Sequence, residues 1–250
     1  MASLNNILIT GASRGIGRAT AILAGQRGWN VGVNYVRDSH AAQSTVDEIQ
    51  RAGGDAVALQ GDMSQEAEVT AIFDSMSSKF GPIHGVVINA GITAPSMPLA
   101  DMSLDRLRSV FDTNVLGAYL CAREAARRLP TFRGGPGGSI VFVSSAAARL
   151  GSPNEYVDYA GSKGAVDTLT VGLSKELGPD GVRVNAVRPG IISTEIHASY
   201  GDPGRSERLG SQTPLRRPGE ANEVAEAIVW LLSPASSYVT GSLLDVAGGR

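Results

Sequence analysis

The stretch that decides the fold is Asn6-Ile7-Leu8-Ile9-Thr10-Gly11-Ala12-Ser13-Arg14-Gly15-Ile16-Gly17. It begins with a short apolar run typical of a buried strand, and helical periodicity follows the last glycine. Glycines at such a turn let the backbone approach a phosphate, and the helix N-terminus presents N–H groups and partial positive charge to it. The stretch therefore predicts a strand, an anion-binding turn and a helix.

The glycine spacing leaves other interpretations open. It is G-x-x-x-G-x-G, whereas the common dinucleotide-binding fingerprint is G-x-G-x-x-G, so the turn could also be a tight connection that binds nothing. Residues 11–15 further satisfy G-x-S-x-G, the nucleophile elbow of hydrolases, which would make Ser13 a nucleophile. An elbow after the first strand has no earlier strands to complete the hydrolase sheet, which argues against that alternative.

The rest of the chain repeats the same alternation of strand and helix. Short β-branched runs alternate with longer segments of helical period, which is typical of βαβ units. The strands are almost continuous apolar runs, so we expect helices on both faces of a parallel sheet. No linker divides the chain, which predicts one α/β domain over residues 1–250. The seven predicted strands are residues 6–10, 30–35, 56–60, 85–89, 139–144, 183–187 and 243–246.

Composition excludes several classes of partner. With 22 Lys+Arg against 24 Asp+Glu, the net charge is -2, and no basic run offers a face to nucleic acid or an acidic membrane. Cys121 is the single cysteine and the three histidines are scattered, so we expect no disulfide and no metal site. No apolar stretch approaches the roughly 18 residues of a membrane span. We predict a cytoplasmic protein in which Cys121 is a small buried hydrophobic residue.

A second motif is formed by Tyr159 and Lys163, which open a predicted helix over residues 157–177. An i,i+4 spacing places the phenol and the ammonium on one helical face. Nearby positive charge favours the phenolate, which would allow a tyrosine to serve in general acid/base catalysis. An exposed tyrosine–lysine pair with this spacing is common, so the motif indicates catalysis only in combination with the glycine turn in the same chain.

Together the two motifs resemble the short-chain dehydrogenase/reductase family, and the resemblance covers the whole chain. The subgroup looks like the 3-oxoacyl-carrier-protein reductases and glucose dehydrogenases. Further matches are Asn89-Ala90-Gly91-Ile92 after the fourth strand, Asn114 in the next helix, Ser144-Ser145 after the fifth strand, and Pro189-Gly190 followed by Thr194 after the sixth.

The resemblance implies a doubly wound Rossmann sheet of order 3-2-1-4-5-6-7 and hydride transfer between a nicotinamide cofactor and a carbonyl or secondary alcohol. In that family Ser145 would polarise the substrate carbonyl and Tyr159 would transfer the proton. Lys163 would lower the tyrosine pKa and hold the ribose, and Asn114 would support a water relay. The implied cofactor contacts are Gly11, Ser13, Arg14, Gly15, Ile16, Gly17, Arg37, Asp62, Met63, Asn89, Ala90, Gly91, Tyr159, Lys163, Pro189, Gly190, Ile192 and Thr194.

Several of these assignments have a structural alternative. Ser144 and Ser145 point to opposite sides of an extended strand, so one of them faces the tyrosine, and we choose Ser145 although it lies one residue farther from Tyr159 than is usual in the family. Tyr156 is either a wall of the substrate site or a packing residue. Asn114 could simply satisfy a backbone group, and Asp62 could be a turn or capping residue rather than an adenine contact.

The end of the second strand indicates the form of the cofactor. Tyr35 stands where a carboxylate would repel a 2′-phosphate, and Arg14 and Arg37 can reach toward that corner. Asp38 is interpreted as part of the N-terminal cap of the next helix. We therefore predict a preference for NADP(H), with NAD(H) as the alternative.

Larger features complete the expectations. The long segment 193–217 lacks clear periodicity and is predicted to be a substrate lid. The resemblance implies a homotetramer with interfaces on helices over residues 103–129 and 157–177. The remaining functional alternative is a dinucleotide-binding regulator without catalytic activity.

Overall fold

A seven-stranded parallel sheet forms the centre of the molecule. The computed structural model describes residues 6–194 and 204–250. The strands are β1 Asn6–Ile9, β2 Asn30–Tyr35, β3 Asp55–Gln60, β4 Gly85–Ile88, β5 Gly138–Val143, β6 Val182–Pro189, β7 Ile192–Ser193, β8 Gly219–Glu220 and β9 Leu243–Val246. The sheet order is β3-β2-β1-β4-β5-β6-β9, which confirms the predicted fold class and strand order. The short strands β7 and β8 form a separate parallel pair that was not predicted.

Helices cover both faces of the sheet. They are α1 Gly15–Gln26, α2 Ser39–Arg51, α3 Glu66–Phe80, α4 Leu104–Phe111, α5 Gly117–Arg128, α6 Ala147–Leu150, α7 Val157–Leu177, α8 Arg205–Gly210 and α9 Ala221–Leu232. One apolar core lies on the α3, α5 and α7 side and includes Phe73 and Phe142. The other lies on the α1, α2 and α9 side and includes Ile9 and Ile228. Two buried cores explain why the strands are apolar along their whole length.

The helix predicted over residues 103–129 is not regular. A single π-helical turn, Asp112–Leu116, separates α4 from α5 and contains the buried Asn114. Both backbone groups of Ile92 hydrogen-bond to the Asn114 carboxamide, at 2.8 Å each. Turns of this kind are frequent at functional sites, where they re-aim one side chain. Local sequence periodicity could not predict this turn, because Ile92, the hydrogen-bond partner of Asn114, lies on the loop after β4.

The ends of β1 and β4 are tied together by side chains. Asn89 Nδ2 donates to the carbonyl oxygens of Thr10 and Gly11, at 2.9 and 3.0 Å. In return, Thr10 Oγ1 accepts from the N–H groups of Asn89 and Ala90. These bonds end both strands one residue earlier than predicted. The junction lies at the carboxyl ends of the central strands, where the order of connection reverses and ligands of such folds bind.

The segment predicted as a lid is described only in part. Residues 195–203 lie outside the described residues, whereas Ser193 belongs to β7 and Arg205–Gly210 form α8. The lid therefore stays a prediction. Among the helices in the described part of the chain, none combines the length and the apolar character needed to cross a membrane.

Candidate active site

The glycine turn after β1 has the shape of an anion-binding site. Gly11 and Gly15 have φ values of +61° and +56°, which favour glycine. A Cβ at Gly17 would lie 2.4 Å from the Gly11 carbonyl oxygen, so the start of α1 also requires glycine. The N-cap residue, Arg14, makes no side-chain capping bond, which leaves the first N–H groups of α1 facing the turn. The turn therefore fits a pyrophosphate.

Asn34 of β2, which no sequence motif identified as a site residue, holds this turn. Its Oδ1 accepts from the Gly11 N–H at 3.0 Å. Its Nδ2 donates to the carbonyl oxygens of Leu59 and Gly61, at 3.1 and 3.0 Å. The side chain is fully buried, so each of its polar atoms needs such a partner. An asparagine directly after the apolar run Val31-Gly32-Val33 was the available signal.

Tyr159 and Ser145 meet at the carboxyl end of β5. Tyr159 lies in α7 and is half-buried, and the Ser145 side chain interacts with its phenol in a way that acts to lower the phenol pKa. Ser145 Oγ also accepts from the Ala147 N–H at 3.1 Å, which fixes its position. The neighbouring Ser144 is buried, and its hydroxyl donates to the Lys163 carbonyl at 3.3 Å. Of the two adjacent serines, Ser145 is thus the one that contacts the phenol.

Lys163 lies beneath the tyrosine, with its charge directed at the backbone. Its Nζ donates to the Val143 carbonyl at 2.8 Å and lies 5.6 Å from the centre of the Tyr159 ring. Burial lowers the pKa of Lys163 to about 8, and the nearby Asp167 charge opposes that shift. Burial raises the pKa of Tyr159, with the Ser145 hydrogen bond acting against it. The expected lowering of the Tyr159 pKa is therefore not seen, because the effect of burial is larger than the effects that lower this pKa.

Asn114 connects the loop after β4 to α7. Besides its two bonds to Ile92, its Nδ2 donates to Ser162 Oγ at 3.0 Å, and that hydroxyl donates to the Tyr159 carbonyl at 2.7 Å. A Cβ at Gly91 would lie 3.3 Å from Asn114 Oδ1 and 3.4 Å from Lys163 Nζ. The backbone-satisfying interpretation of Asn114 is confirmed, and its part in a water relay stays a prediction.

The two arginines predicted to hold the adenosine half lie at the surface. Arg14 and Arg37 are exposed and Tyr35 is half-buried. Asp38 Oδ1 accepts from the Ala41 N–H at 2.9 Å, which confirms it as the cap of α2. Asp62 Oδ1 accepts from the N–H and hydroxyl of Ser64, at 2.9 and 2.8 Å, so the turn interpretation holds and an adenine contact stays a prediction.

The remaining predicted contacts lie around the same edge of the sheet. A Cβ at Gly15 would lie 3.7 Å from Thr194 Cγ2, which brings the end of β7 against the glycine turn. Met63 and Ile192 are buried, and Tyr156 is half-buried directly before α7. The turn residues Ser13 and Ile16 lie at this edge of the sheet. The predicted contacts placed there beyond the turn are Met63, Asn89, Ala90, Gly91, Pro189, Gly190, Ile192 and Thr194.

Cys121 is fully buried, as expected. Burial and the Glu124 charge raise the pKa of its thiol to about 12, so it stays protonated. Among residues 6–194 and 204–250, no group of three His, Cys, Asp or Glu side chains is placed to hold a metal ion.

Two buried ion pairs flank the tyrosine and the lysine, and sequence reasoning identified neither. Asp158 precedes Tyr159 and pairs with Arg106 of α4 at 2.8 Å. Asp167 lies one turn after Lys163 and pairs with Arg188 of β6 at 2.8 Å. Aspartates at these positions are visible in the sequence, but their partners come from other elements.

Comparison with known proteins places this geometry in a family. A family model described as enoyl-(acyl carrier protein) reductase matches residues 11–250. An uncharacterised oxidoreductase of Escherichia coli (strain K12), YgfF, is 54% identical over 97% of this chain and 98% of its own length. The L-rhamnose 1-dehydrogenase (NAD(P)(+)) of Sphingomonas sp. (strain SKA58) is 39% identical over 97% of this chain and 94% of its own.

Solved structures agree with the sequence matches. A short-chain dehydrogenase from Burkholderia cenocepacia J2315, crystallised in complex with NADP, superposes with a TM-score of 0.89 at 31% identity. The alignment covers 98% of this chain and 97% of that one. The family resemblance carried by the two sequence motifs is confirmed: the chain belongs to the short-chain dehydrogenase/reductase family of oxidoreductases.

Proposed function

We propose that this protein transfers a hydride between NADP(H) and a carbonyl or secondary alcohol, with Tyr159 as the general acid/base. The observation that carries the proposal is the buried ammonium of Lys163, whose Nζ lies 5.6 Å from the centre of the Tyr159 ring, together with the interaction of the phenol with Ser145. This cluster lies at the same edge of the sheet as the glycine turn. The NADP of the Burkholderia structure and the NAD(P)(+) of the rhamnose enzyme's name support the cofactor.

The chain's own residues account for the proton. When bound, the reduced nicotinamide supplies the hydride. Ser145 and Tyr159 hydrogen-bond the substrate oxygen, and the phenol donates its proton as the alcohol forms. The phenol carries its proton at neutral pH, because the pKa of tyrosine is near 10 and burial raises the pKa of Tyr159 further. The raised pKa makes the phenol a weaker acid, and the Lys163 charge opposes this by favouring the phenolate as the proton leaves. In alcohol oxidation the same oxygen accepts the proton, and the Lys163 charge stabilises the phenolate.

The residues that would hold the cofactor fall into three groups. Gly11, Gly15 and Gly17 leave room for the pyrophosphate at the N-terminus of α1. Gly91 would leave Lys163 free to hold the ribose, because a Cβ at Gly91 would lie 3.4 Å from Nζ. Arg14 and Arg37 would bind the 2′-phosphate, since guanidinium groups suit a phosphate dianion.

Three expectations remain predictions beside this function. They are the cytoplasmic location, the lid over residues 193–217, and the homotetramer. In support of the last, Leu104, Phe111, Leu116 and Tyr119 are exposed large apolar side chains on the helices expected to form interfaces.

The first test replaces Tyr159 by phenylalanine. The change removes the proton donor and little volume, so we expect turnover to fall about 100- to 10,000-fold. Cofactor binding, followed by fluorescence of the reduced nicotinamide, should stay near the wild-type value. Wild-type turnover in Tyr159→Phe would remove this residue from the acid/base role. If no carbonyl is reduced even by the wild-type protein while cofactor binds, the regulator alternative gains support.

The second test is the pH profile of carbonyl reduction. Lys163 has a pKa of about 8, so its charge is present below that pH and is lost above it. We therefore expect kcat/KM for reduction to fall as the pH rises through about 8. Asp167→Asn removes a negative charge that favours the ammonium, so the decline should begin at lower pH. The exposed Asp47→Asn serves as the control and should keep the wild-type profile. A profile unchanged by Asp167→Asn would contradict this assignment.

The third test concerns the cofactor corner. Arg37→Ala should lower kcat/KM with NADPH about ten- to a hundredfold, because a charged hydrogen bond to the phosphate is lost. With NADH the variant should match the wild type. Arg51→Ala, at the other end of α2 and roughly 18 Å away along the helix, is the control. Equal impairment with both cofactors, or a wild-type preference for NADH, would show that this corner is misassigned.

A further inference from the structure

Arg106 forms a buried ion pair at the start of the helix that carries Tyr159. Its Nε donates to Asp158 Oδ2 at 2.8 Å, and its Nη2 donates to Asp158 Oδ1 at 3.2 Å. The two side chains are only 9% and 1% exposed. Burial acts to raise the pKa of Asp158, but the hydrogen bonds from Arg106 and from the Tyr159 and Asp158 backbone N–H groups, together with the charge of Arg106, outweigh it and the pKa is lowered. The pair is therefore ionised at neutral pH.

The same guanidinium also holds the loop after β4. Its third nitrogen, Nη1, donates to the Pro95 carbonyl oxygen. A second bond joins this loop to the residues before α7, since the Met97 N–H donates to the Glu155 carbonyl at 3.1 Å. A cavity of about 330 Å³ lies here, lined among others by Thr93, Pro95, Met97 and Arg106. The loop begins at Ile92, which Asn114 holds, so it borders the candidate active site.

We propose that Arg106 is a positioning residue. It holds two segments in a fixed arrangement relative to each other: the backbone that carries Tyr159, and the loop of residues 92–97. The proposal rests on the proposed function, in which Tyr159 acts on a substrate bound beside that loop. Asp158 directly precedes Tyr159, so an anchored carboxylate restrains the backbone from which the phenol projects. A displacement of about 1 Å at a reacting group can cost on the order of a hundredfold in rate.

The chemistry of arginine explains why this side chain is needed. A guanidinium presents a planar fork that binds both carboxylate oxygens and keeps a further N–H for a third partner. Lysine has a single point charge on a flexible stem, so it can neutralise Asp158 but cannot also hold Pro95 in the same geometry. Arg106→Lys is therefore the variant that separates charge from positioning.

A purely structural role makes a different prediction. Removal of one partner leaves a buried charge unpaired, which is strongly destabilising, whereas removal of both charges is much better tolerated. If the pair only stabilised the fold, activity would recover together with stability in Arg106→Met combined with Asp158→Asn. If Arg106 positions the site, stability would recover and the kinetic defect would remain.

The experiment compares Arg106→Met, Arg106→Lys and the Arg106→Met/Asp158→Asn double variant with the wild type. For each protein, Tm, NADPH binding by fluorescence, kcat and KM with one carbonyl substrate are measured. Arg106→Met should lower Tm and reduce kcat/KM about 10- to 100-fold. The double variant should regain most of the Tm but stay at least about tenfold below wild-type kcat/KM. Arg106→Lys should keep the wild-type Tm and raise KM.

The matched control is the Arg127→Met/Arg128→Met double variant on α5, because both guanidinium groups contact the buried Glu124 carboxylate. Arg128 also pairs with a buried carboxylate, Glu124, at 3.1 Å, but it lies away from the site. This variant should lower Tm without changing KM or kcat. Recovery of kcat/KM in step with Tm in the double variant, or wild-type kinetics in Arg106→Lys, would overturn the proposal.

A readout that needs no turnover separates this proposal from the proposed function. Arg106→Lys should increase amide hydrogen exchange in residues 92–97 and in the first turn of α7, and not in β5. Unchanged exchange in these residues would overturn the positioning role even if the wild type proves inactive. An inactive wild type with bound cofactor would instead refute the proposed function.

Discussion

Helix α7 has to bury three charged side chains, Asp158, Lys163 and Asp167, and the arrangement of the site depends on how each is bonded. A buried charge without a partner would cost several kcal/mol, so each of these groups requires a specific contact. Arg106 of α4 holds Asp158, the Val143 carbonyl at the end of β5 holds Lys163, and Arg188 of β6 holds Asp167. Three different elements thus fix the position of one helix, and Tyr159 projects from it between them.

The other half of the site depends on polar side chains at the ends of central strands. Asn34 and Asn89 bond to the backbone around Gly11 from β2 and from the end of β4. These bonds hold the glycine turn open toward the carboxyl edge of the sheet. Gly91 then brings this half into contact with Lys163 and Asn114. One edge of the sheet therefore joins the proposed pyrophosphate site to the proposed proton-transfer group.

The sequence predicted those features of the fold and the site that depend on local sequence pattern. Continuous apolar runs indicated parallel strands covered on both faces, and the i,i+4 spacing placed Tyr159 and Lys163 on one side of a helix. The π turn at Asn114 was not predictable, because it depends on a bond to Ile92, 22 positions away. The Arg106–Asp158 pair spans 52 positions, and no local signal names its partner. The raised pKa of Tyr159 likewise comes from burial, which exists only in the folded chain.

The most direct measurement of the central claim is the absorbance of NADPH at about 340 nm while the wild-type protein is offered a panel of carbonyl compounds, beside an activated ester. The panel includes sugars, simple aldehydes and ketones, and 3-oxoacyl thioesters. The account predicts a loss of absorbance that depends on the carbonyl, together with no ester hydrolysis. Tight binding of NADPH without oxidation by any carbonyl would contradict it, as would ester hydrolysis that Ser13→Ala abolishes.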